Sequence, residues 1–176
     1  YLVNVHETLN TCIYGQDDAK RKIESLIAQW INGQMSGCVF GFQGYPGTGK
    51  TTFAKQGLAK CLLDENGQSR PFFFIPLGGS NGGSLLEGHG YTYVGSHWGK
   101  IVDCLRESKI MNPIIYFDEL DKVSGTPRGE EIIRILTHLT DPEQNDSFTD
   151  RYFNCDLDLS KALIIFSYND RKTIDD

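Results

Sequence analysis

The sequence contains no apolar stretch long enough to cross a bilayer. Its longest apolar runs, Phe72–Leu77 and Ala162–Phe166, are interrupted within a few residues by a charge or a glycine, whereas a transmembrane helix needs about 20 apolar residues. The first residues show no basic segment followed by an apolar one, so we expect no secretory signal and no membrane partner. Basic residues are in deficit, since 17 Lys and Arg against 23 Asp and Glu give a net charge of −6. That net charge disfavours binding of nucleic acid over a broad surface without regard to sequence, although it does not exclude a local basic groove.

The sequence also lacks the cysteine spacing of a disulfide framework or a zinc site. Its cysteines are odd in number, no two of them form a C-x-x-C pair, and several lie in apolar runs. We therefore expect reduced thiols in the core and an intracellular, reducing compartment, either the cytoplasm or an organelle matrix. The histidines show no metal-ligand spacing with one another or with the cysteines, so we interpret them as surface or loop residues. These residues are Cys12, Cys38, Cys61, Cys104 and Cys155, and His6, His89, His97 and His138.

Helical and extended patterns alternate along the 176 residues, and no repeat or linker divides them. Apolar residues from Asp17 to Ile31 recur at helical spacing, with Asp17 and Asp18 favouring the start of this helix and Gly33 its end. A loop from Gly78 to Gly99 holds eight of the 19 glycines, which is typical of a functional segment. The other predicted elements are strands at Cys38–Gln43, Pro71–Leu77, Pro113–Phe117 and Ala162–Ser167, helices through about Cys61, at Lys100–Ser108 and along a face of Ile132, Ile133, Leu136 and Leu139, and a hairpin between Phe148 and Leu157.

The segment Gly44–Thr51 matches the phosphate-binding pattern G-x-x-x-x-G-K-[ST] between a predicted strand and a predicted helix. Its glycines let the backbone adopt positive φ and turn N–H groups onto phosphate oxygens, and the helix N-terminus adds its dipole. Lys50 is expected to reach the β- and γ-phosphates, and the Thr51 hydroxyl to coordinate Mg²⁺. The alternative, a glycine-rich turn without a ligand, is disfavoured by the strand and helix on either side. The predicted nucleotide-binding residues here are Gly44, Tyr45, Pro46, Gly47, Thr48, Gly49, Lys50, Thr51 and Thr52.

Polar residues follow two of the predicted strands. Asp118 and Glu119 come directly after an apolar strand, and a parallel α/β sheet presents such strand ends to its ligand. Asp118 is expected to hold Mg²⁺ through its water, and Glu119 to polarise the water that attacks the γ-phosphate. In isolation the pair is also typical of a solvated strand end. Asn169 follows the last strand, where its amide can hydrogen-bond the γ-phosphate and the attacking water, or can simply form a turn.

Together, Gly44–Thr51, I-I-Y-F-D-E-L-D-K (114–122) and F-S-Y-N-D (166–170) resemble the Walker A, Walker B and sensor 1 motifs of AAA+ ATPases. The resemblance narrows to the ATPase module of Lon proteases, and it covers most of the chain from about residue 13 to 170. It implies an α/β fold, the P-loop NTPase three-layer sandwich in which helices flank a parallel sheet, known as the AAA+ large subdomain. The segments that carry it are L-G-G-S (77–80), G-H-G-Y-T-Y-V-G (88–95), R-G-E (128–130), L-T-D-P-E-Q-N-D-S-F-T-D (139–150) and D-L-S-K (158–161).

By the same resemblance, Ile13, Tyr14 and Gly15 match the segment that lines the adenine pocket, and an aromatic beside an apolar residue is suited to stacking on a purine. The alternative is a packed helix entry. Residues 1–176 would form a single AAA+ subdomain. They would end before the family's arginine finger, sensor 2 and helical lid, and any serine-lysine peptidase domain would be absent.

Tyr93, with Val94 beside it, matches the pore-loop aromatic that grips an extended polypeptide. The alternative is that Tyr91 and Tyr93 are ordinary packed aromatics. Residues 124–129 would form a second pore loop. Lon-like proteins commonly have basic residues before the pore tyrosine, whereas this chain has H-G-Y (89–91), which leaves the substrate preference open.

The resemblance therefore implies an ATPase that uses ATP and Mg²⁺, with Lys50, Glu119 and Asn169 as catalytic residues. It would work as a homo-oligomeric ring, expected to be hexameric, and move pore loops on a polypeptide. Hydrolysis would need a neighbouring subunit's arginine. Two alternatives stay open: a nucleic-acid machine of the helicase or clamp-loader type, and an assembly ATPase or scaffold without proteolysis.

Overall fold

A computed structural model describes residues 2–31, 38–63, 67–80, 82–123, 125–171 and 174. In chain order the helices are α1 (Leu2–Cys12), α2 (Asp17–Ile31), α3 (Lys50–Thr52), α4 (Ala59–Cys61), α5 (Ser84–Glu87), α6 (Lys100–Ser108) and α7 (Pro127–Thr140). The strands are β1 (Cys38–Gln43), β2 (Phe72–Pro76), β3 (Ile114–Asp118), β4 (Phe148–Asp150), β5 (Cys155–Leu157) and β6 (Leu163–Tyr168). The π-helical segment Phe53–Leu58 joins α3 to α4, so residues 50–61 form one helix, hereafter the P-loop helix.

Four of the strands form a parallel sheet in the order β1-β6-β3-β2. The last strand in the sequence, β6, lies between β1 and β3, with Leu163 opposite both Cys38 and Ile114. Parallel pairing requires crossover connections, and here α-helices supply them. Because all four strands run in the same direction, their carboxyl ends meet at one edge of the sheet.

The two faces of the sheet carry separate hydrophobic clusters, because successive side chains of a strand point to opposite faces. On β3, Ile114 and Tyr116 pack with α1, α2 and the P-loop helix. Ile115 and Phe117 pack on the other face with α5, α6, α7 and the β4–β5 hairpin. Burying side chains of this size stabilises the fold by about 1.5–3 kcal/mol each. The predicted three-layer α/β sandwich is confirmed.

Most predicted elements are present: the bounds of β1 agree with the prediction, and the ends of β2, β3 and β6 are displaced by one residue. Helices at Asp17–Ile31 and Lys100–Ser108 and the hairpin between Phe148 and Leu157 are confirmed. The predicted stop of α2 at Gly33 falls outside the described residues. The loop after β2 is not wholly irregular, because α5 lies within it, and α1 was not predicted.

The predicted inner face of α7 was wrong at one position. Ile133 is 39% exposed, and Ile135 is buried in its place. A helix turns about 100° per residue, so Ile133 and Ile135 flank the stripe of Ile132, Leu136 and Leu139 on opposite sides. The hydrophobic core lies on the side of Ile135.

The expectation of core thiols holds for two cysteines and is wrong for one. Cys61 and Cys104 are buried, and burial raises their thiol pKa values to about 11 and about 12. Cys12 and Cys38 are half-buried. Cys155 is exposed, because it lies on the two-stranded hairpin, where only one side of each strand can face the core. None of the helices in the described ranges has the length and apolar character needed to span a membrane.

Candidate nucleotide-binding site

The segment from Gly44 to Lys50 forms a tight turn between β1 and the P-loop helix. The Gly44 N–H donates to the Tyr168 carbonyl oxygen at 3.2 Å, which ties the turn to β6. Gly47 and Gly49 have φ of 78° and 85°, a conformation that favours glycine. A Cβ at Gly49 would also lie 2.8 Å from the Ile13 Cδ1 atom. The turn therefore places several backbone N–H groups together at the N-terminus of the P-loop helix, where they can donate to a phosphate group.

The Lys50 ammonium folds back over this turn. Its Nζ donates to the carbonyl oxygen of Gly44, and to that of Tyr45 at 3.3 Å. It also donates to the Asn169 Oδ1 atom at 2.9 Å, across 119 residues of sequence. The structure thus brings together the predicted phosphate-binding lysine and the predicted sensor amide.

The acidic pair lies at the same edge of the sheet. Asp118 ends β3, and its carboxylate accepts a hydrogen bond from the Ser167 hydroxyl on β6. The Glu119 N–H donates to the same hydroxyl oxygen at 3.4 Å. A pocket of about 440 Å³, within the usual size range of small-ligand sites, separates these groups from the P-loop. Its lining comprises Pro46, Gly47, Thr48, Gly49, Lys50, Thr51, Thr52, Asp118, Glu119, Lys122, Ser167 and Asn169.

The Glu119 backbone adopts a left-handed conformation, with φ of 60°. A non-glycine residue pays roughly 1–2 kcal/mol for this geometry. The Glu119 carboxylate forms an ion pair with Lys122, one turn further on, and this hydrogen bond raises the Lys122 pKa. Gly78 lies against the same carboxylate, since a Cβ there would overlap the Glu119 Oε2 atom. Glu119 is therefore held by a neighbouring cation, and a side chain at position 78 would displace its carboxylate.

Two buried hydroxyls at this site were missed by the sequence analysis. Tyr116 is fully buried on β3, and its hydroxyl hydrogen-bonds Ser167 and accepts from the Thr51 hydroxyl at 3.4 Å. Burial raises the Tyr116 pKa. Together Thr51, Tyr116, Ser167 and Asp118 form a chain of oxygens from the P-loop helix to the acidic pair. The signal in the sequence was a polar residue inside each of two apolar strands, I-I-Y-F and I-I-F-S.

The three residues predicted for an adenine pocket are only partly brought to the site. Ile13 packs against Gly49, whereas the Tyr14 ring is fully exposed, which disagrees with a packed helix entry. Gly15 has φ of 71° and makes the turn between α1 and α2. Gln16, which the sequence analysis did not select, donates from Nε2 to the Thr48 carbonyl oxygen at 3.1 Å.

The glycine-rich segment 88–99 forms a loop whose ends touch. The His89 N–H donates to the His97 carbonyl oxygen at 2.9 Å. At its tip Tyr91, Tyr93 and Val94 are 71%, 69% and 107% exposed, so the alternative of ordinary packed aromatics is wrong. The rings of His89 and His97 lie 4.8 Å apart, yet no group of three metal-ligating side chains occurs in the described part of the chain.

The predicted second pore loop is described only in part, because Ser124 falls outside the described residues. From Gly125 onward the segment is exposed up to Arg128. Thr126 caps α7 by accepting a hydrogen bond from the Gly129 N–H at 3.4 Å, and Pro127 opens the helix. This segment is consequently a helix entry that begins just beyond the 3-10 turn Leu120–Lys122.

Several curated proteins are similar to this chain over nearly its whole length. A Lon protease homolog of Acanthamoeba polyphaga mimivirus is 38% identical over 99% of the chain and 17% of its own length. The mitochondrial Lon protease homologs of Drosophila melanogaster and Homo sapiens are each 38% identical, over 96% and 92% of the chain and 16% of their own lengths. The chain therefore spans about one sixth of these relatives, and the resemblance of its ATPase module to that of Lon proteases is confirmed.

A family model also matches most of the chain. Residues 40–176 match the ATPase family associated with various cellular activities (AAA). The match includes the glycine turn, the acidic pair and Asn169, the residues that converge on the pocket. The chain belongs to the AAA ATPase family.

Proposed function

We propose that this chain binds and hydrolyses ATP, with Mg²⁺, at the pocket between the P-loop and the end of β3. One observation carries the proposal: Lys50, Asp118, Glu119 and Asn169 come from distant parts of the sequence and line one pocket at the N-terminus of the P-loop helix. The backbone N–H groups of Gly47 and of residues 49–52 supply the donors, and Lys50 a cation, for a triphosphate, whereas the Thr48 N–H donates to the Tyr45 carbonyl oxygen.

The donor set also fits Mg²⁺. The Thr51 hydroxyl and the Asp118 carboxylate both line the pocket, and Mg²⁺ prefers oxygen ligands such as these together with water and phosphate. When bound, the ion would neutralise charge on the β- and γ-phosphates. Ser167 and Tyr116 would hold the Asp118 and Thr51 oxygens in place, which limits the reorganisation needed when a ligand arrives.

Hydrolysis requires Glu119 to accept a proton from water near the γ-phosphate. In the structure one oxygen of its carboxylate is paired with Lys122, which competes with water for Glu119. Asn169 and Lys50, already hydrogen-bonded to each other, would contact the γ-phosphate. We further propose that a neighbouring subunit's arginine completes the site, so that turnover depends on assembly of a ring, with six subunits as our expectation.

We propose a polypeptide as the substrate because of the side chains that the loop 88–99 exposes. Its tip exposes two tyrosines and a valine, which can contact an extended chain without requiring one sequence. The loop contains no Lys or Arg, which argues against nucleic acid as the substrate. In the parent protein we expect ATP-driven unfolding or translocation, with proteolysis if a peptidase domain accompanies this module, in a reducing intracellular compartment.

The test measures the ATPase rate of the full-length protein against protein concentration, with and without casein as an unfolded polypeptide. We expect the rate to rise with assembly and with casein. Glu119→Gln should abolish turnover while ATP binding persists, and Glu107→Gln, an exposed glutamate on α6, is the matched control. Tyr93→Ala should lose the casein response and keep basal turnover, while Tyr91→Ala retains more of that response. Stimulation by DNA but not by casein would reverse the substrate assignment.

A further inference from the structure

The β4–β5 hairpin contains a carboxylate with no exposure to solvent, that of Asp150. Burying a charge is costly unless hydrogen bonds compensate it. Among the described residues, Asp150 forms no ion pair. Instead its oxygens accept hydrogen bonds from backbone N–H groups: Oδ1 from Tyr152 at 3.0 Å and Phe153 at 3.1 Å, and Oδ2 from Gly99 at 2.8 Å. The first two bonds shape the hairpin turn, whereas the third reaches the end of the loop 88–99.

The neck of that loop, Gly88 and Gly99, has no room for side chains. A Cβ at Gly88 would lie 2.7 Å from the His97 carbonyl oxygen and 2.8 Å from the Gly99 nitrogen. A Cβ at Gly99 would overlap the Leu86 carbonyl oxygen. The two ends of the loop are therefore in backbone contact, and the Asp150 carboxylate holds one of them directly.

The hairpin turn also holds the other end of the loop. The Arg151 N–H donates to the Glu87 carbonyl oxygen at 2.8 Å, and its Nε lies 2.7 Å from the Glu87 Oε2 atom. The Arg151 Nη2 atom lies 3.3 Å from a carboxylate oxygen of Glu131 on α7. Adjacent residues of one turn thus contact the chain just before the loop and at its last residue.

Aromatic side chains pack over the contact between the hairpin turn and the end of the loop 88–99. The Trp98 ring stacks on Phe153, with centroids 5.7 Å apart, and meets Tyr152 edge-on at 5.8 Å. The Arg106 guanidinium lies 4.8 Å from the centroid of the Trp98 ring, and Trp98 Nε1 donates to the Asp103 carboxylate at 2.6 Å. Trp98 is consequently fixed between the hairpin and α6, one residue before the Gly99 bond.

We propose that Asp150 is a positioning residue that anchors the polypeptide-binding loop: its carboxylate fixes the neck at Gly99 so that Tyr93 is presented from a rigid base. The proposal rests on the proposed function of this loop. Asp150 does not line the nucleotide pocket, so the anchor acts on substrate engagement and leaves nucleotide chemistry unchanged. A loop held at both ends loses less conformational entropy when it grips a chain than a free loop does.

The test is Asp150→Asn in the full-length protein. The asparagine carbonyl can still accept from Tyr152 and Phe153, but its amide places a donor against the Gly99 N–H. We expect basal ATPase within twofold of wild type, an unchanged maximal casein-stimulated rate, and a casein concentration for half-maximal stimulation raised about five- to tenfold. Amide hydrogen exchange should accelerate in residues 88–99 and not in the P-loop. Asp156→Asn is the matched control, since this exposed carboxylate on the same hairpin bonds only the Thr149 hydroxyl among the contacts described.

Arg151→Gln provides a second variant, because it removes the ion pairs of this half-exposed side chain with Glu87 and Glu131 and keeps the backbone bond to Glu87. It should raise the half-maximal casein concentration by a smaller factor, again at constant maximal rate, and it decides the matter if Asp150→Asn does not fold. An unchanged casein requirement in the variants, or basal and stimulated rates that fall together, would overturn the anchor. If wild type ignores casein, the polypeptide proposal fails, and hydrogen exchange alone then tests the anchor: unchanged exchange at 88–99 in Asp150→Asn refutes it.

Discussion

Replacing Ser167 by alanine removes a hydroxyl that links β6 to both residues of the acidic pair. Ser167 is 1% exposed, its Oγ donates to the Asp118 carboxylate, and it accepts from the Glu119 N–H. Alanine fits the same space on the strand. The substitution therefore leaves the sheet intact and frees the carboxylate that we assign to Mg²⁺.

The expected loss of ATP affinity follows from the strength of the hydrogen bond between Ser167 and the Asp118 carboxylate. A hydrogen bond to a charged group contributes about 1.5–3 kcal/mol. Asp118 is half-buried, so we take the lower part of that range, about 1.5–2 kcal/mol. The Glu119 bond, at 3.4 Å, is too long to add much. Since 1.4 kcal/mol corresponds to a factor of ten, the gain in ATP affinity on adding Mg²⁺ should fall about ten- to thirtyfold.

The assay compares the Kd of a fluorescent ATP analogue in Mg²⁺ and in EDTA, for wild type and Ser167→Ala. Binding in EDTA should stay within twofold of wild type, because the P-loop and Lys50 are unchanged. Ser160→Ala is the matched control, since Ser160 donates to the Asp158 carboxylate at 2.5 Å on the surface, far from the pocket. Equal losses in Mg²⁺ and EDTA, or no loss in either, would refute the assignment of Asp118 as a carboxylate oriented by Ser167.

Three further predictions concern other parts of the molecule. Lys122→Ala should raise basal ATPase about two- to fivefold, because it frees Glu119 from a weak, solvent-exposed ion pair, and steady-state kinetics will show whether kcat rises. Tyr14→Ala should weaken ATP binding about three- to tenfold and leave inorganic triphosphate binding unchanged if the exposed ring stacks on adenine, as competition titrations can measure. Iodoacetamide at pH 8 should label the exposed Cys155 and spare the buried Cys104, which peptide mass spectrometry can measure. Because burial raises the Cys104 pKa to about 12, its contribution to the free energy of unfolding is present below about pH 9 and is lost as the pH rises towards 12. Urea unfolding between about pH 9 and 11 should show this loss.

Local patterns predicted the elements that depend on neighbouring residues. The bounds of α2, β1 and α6 agree with the structure, because helical spacing and short apolar runs are properties of the segments themselves. The failures have a different origin. The rotation of α7 that buries Ile135 rather than Ile133 depends on where the sheet lies, and the exposure of Cys155 depends on what covers the hairpin.

The residues of the candidate site also fall into two groups, those that local patterns predict and those that depend on contacts distant in the sequence. A strand, a glycine turn and a helix in sequence predict a phosphate-binding turn, and a carboxylate pair after an apolar strand predicts its place at a sheet edge. Tyr116 and Ser167 stand out only as polar residues inside apolar strands, and nothing local shows their role, since their partners Thr51 and Asp118 lie on other elements. Nor could local patterns find the anchor at Asp150, whose contact with Gly99 spans 51 residues.

The order strand, glycine turn and helix around Gly44–Thr51 and the place of the acidic pair follow from residues adjacent in the chain, so local patterns are enough to predict them. The insertion of β6 between β1 and β3, by contrast, appears only once the whole sheet is assembled. That placement brings Asn169 to Lys50 and Ser167 to Asp118. Which strands become neighbours depends on the packing of both faces of the sheet at once, a property of the whole chain that no single segment carries.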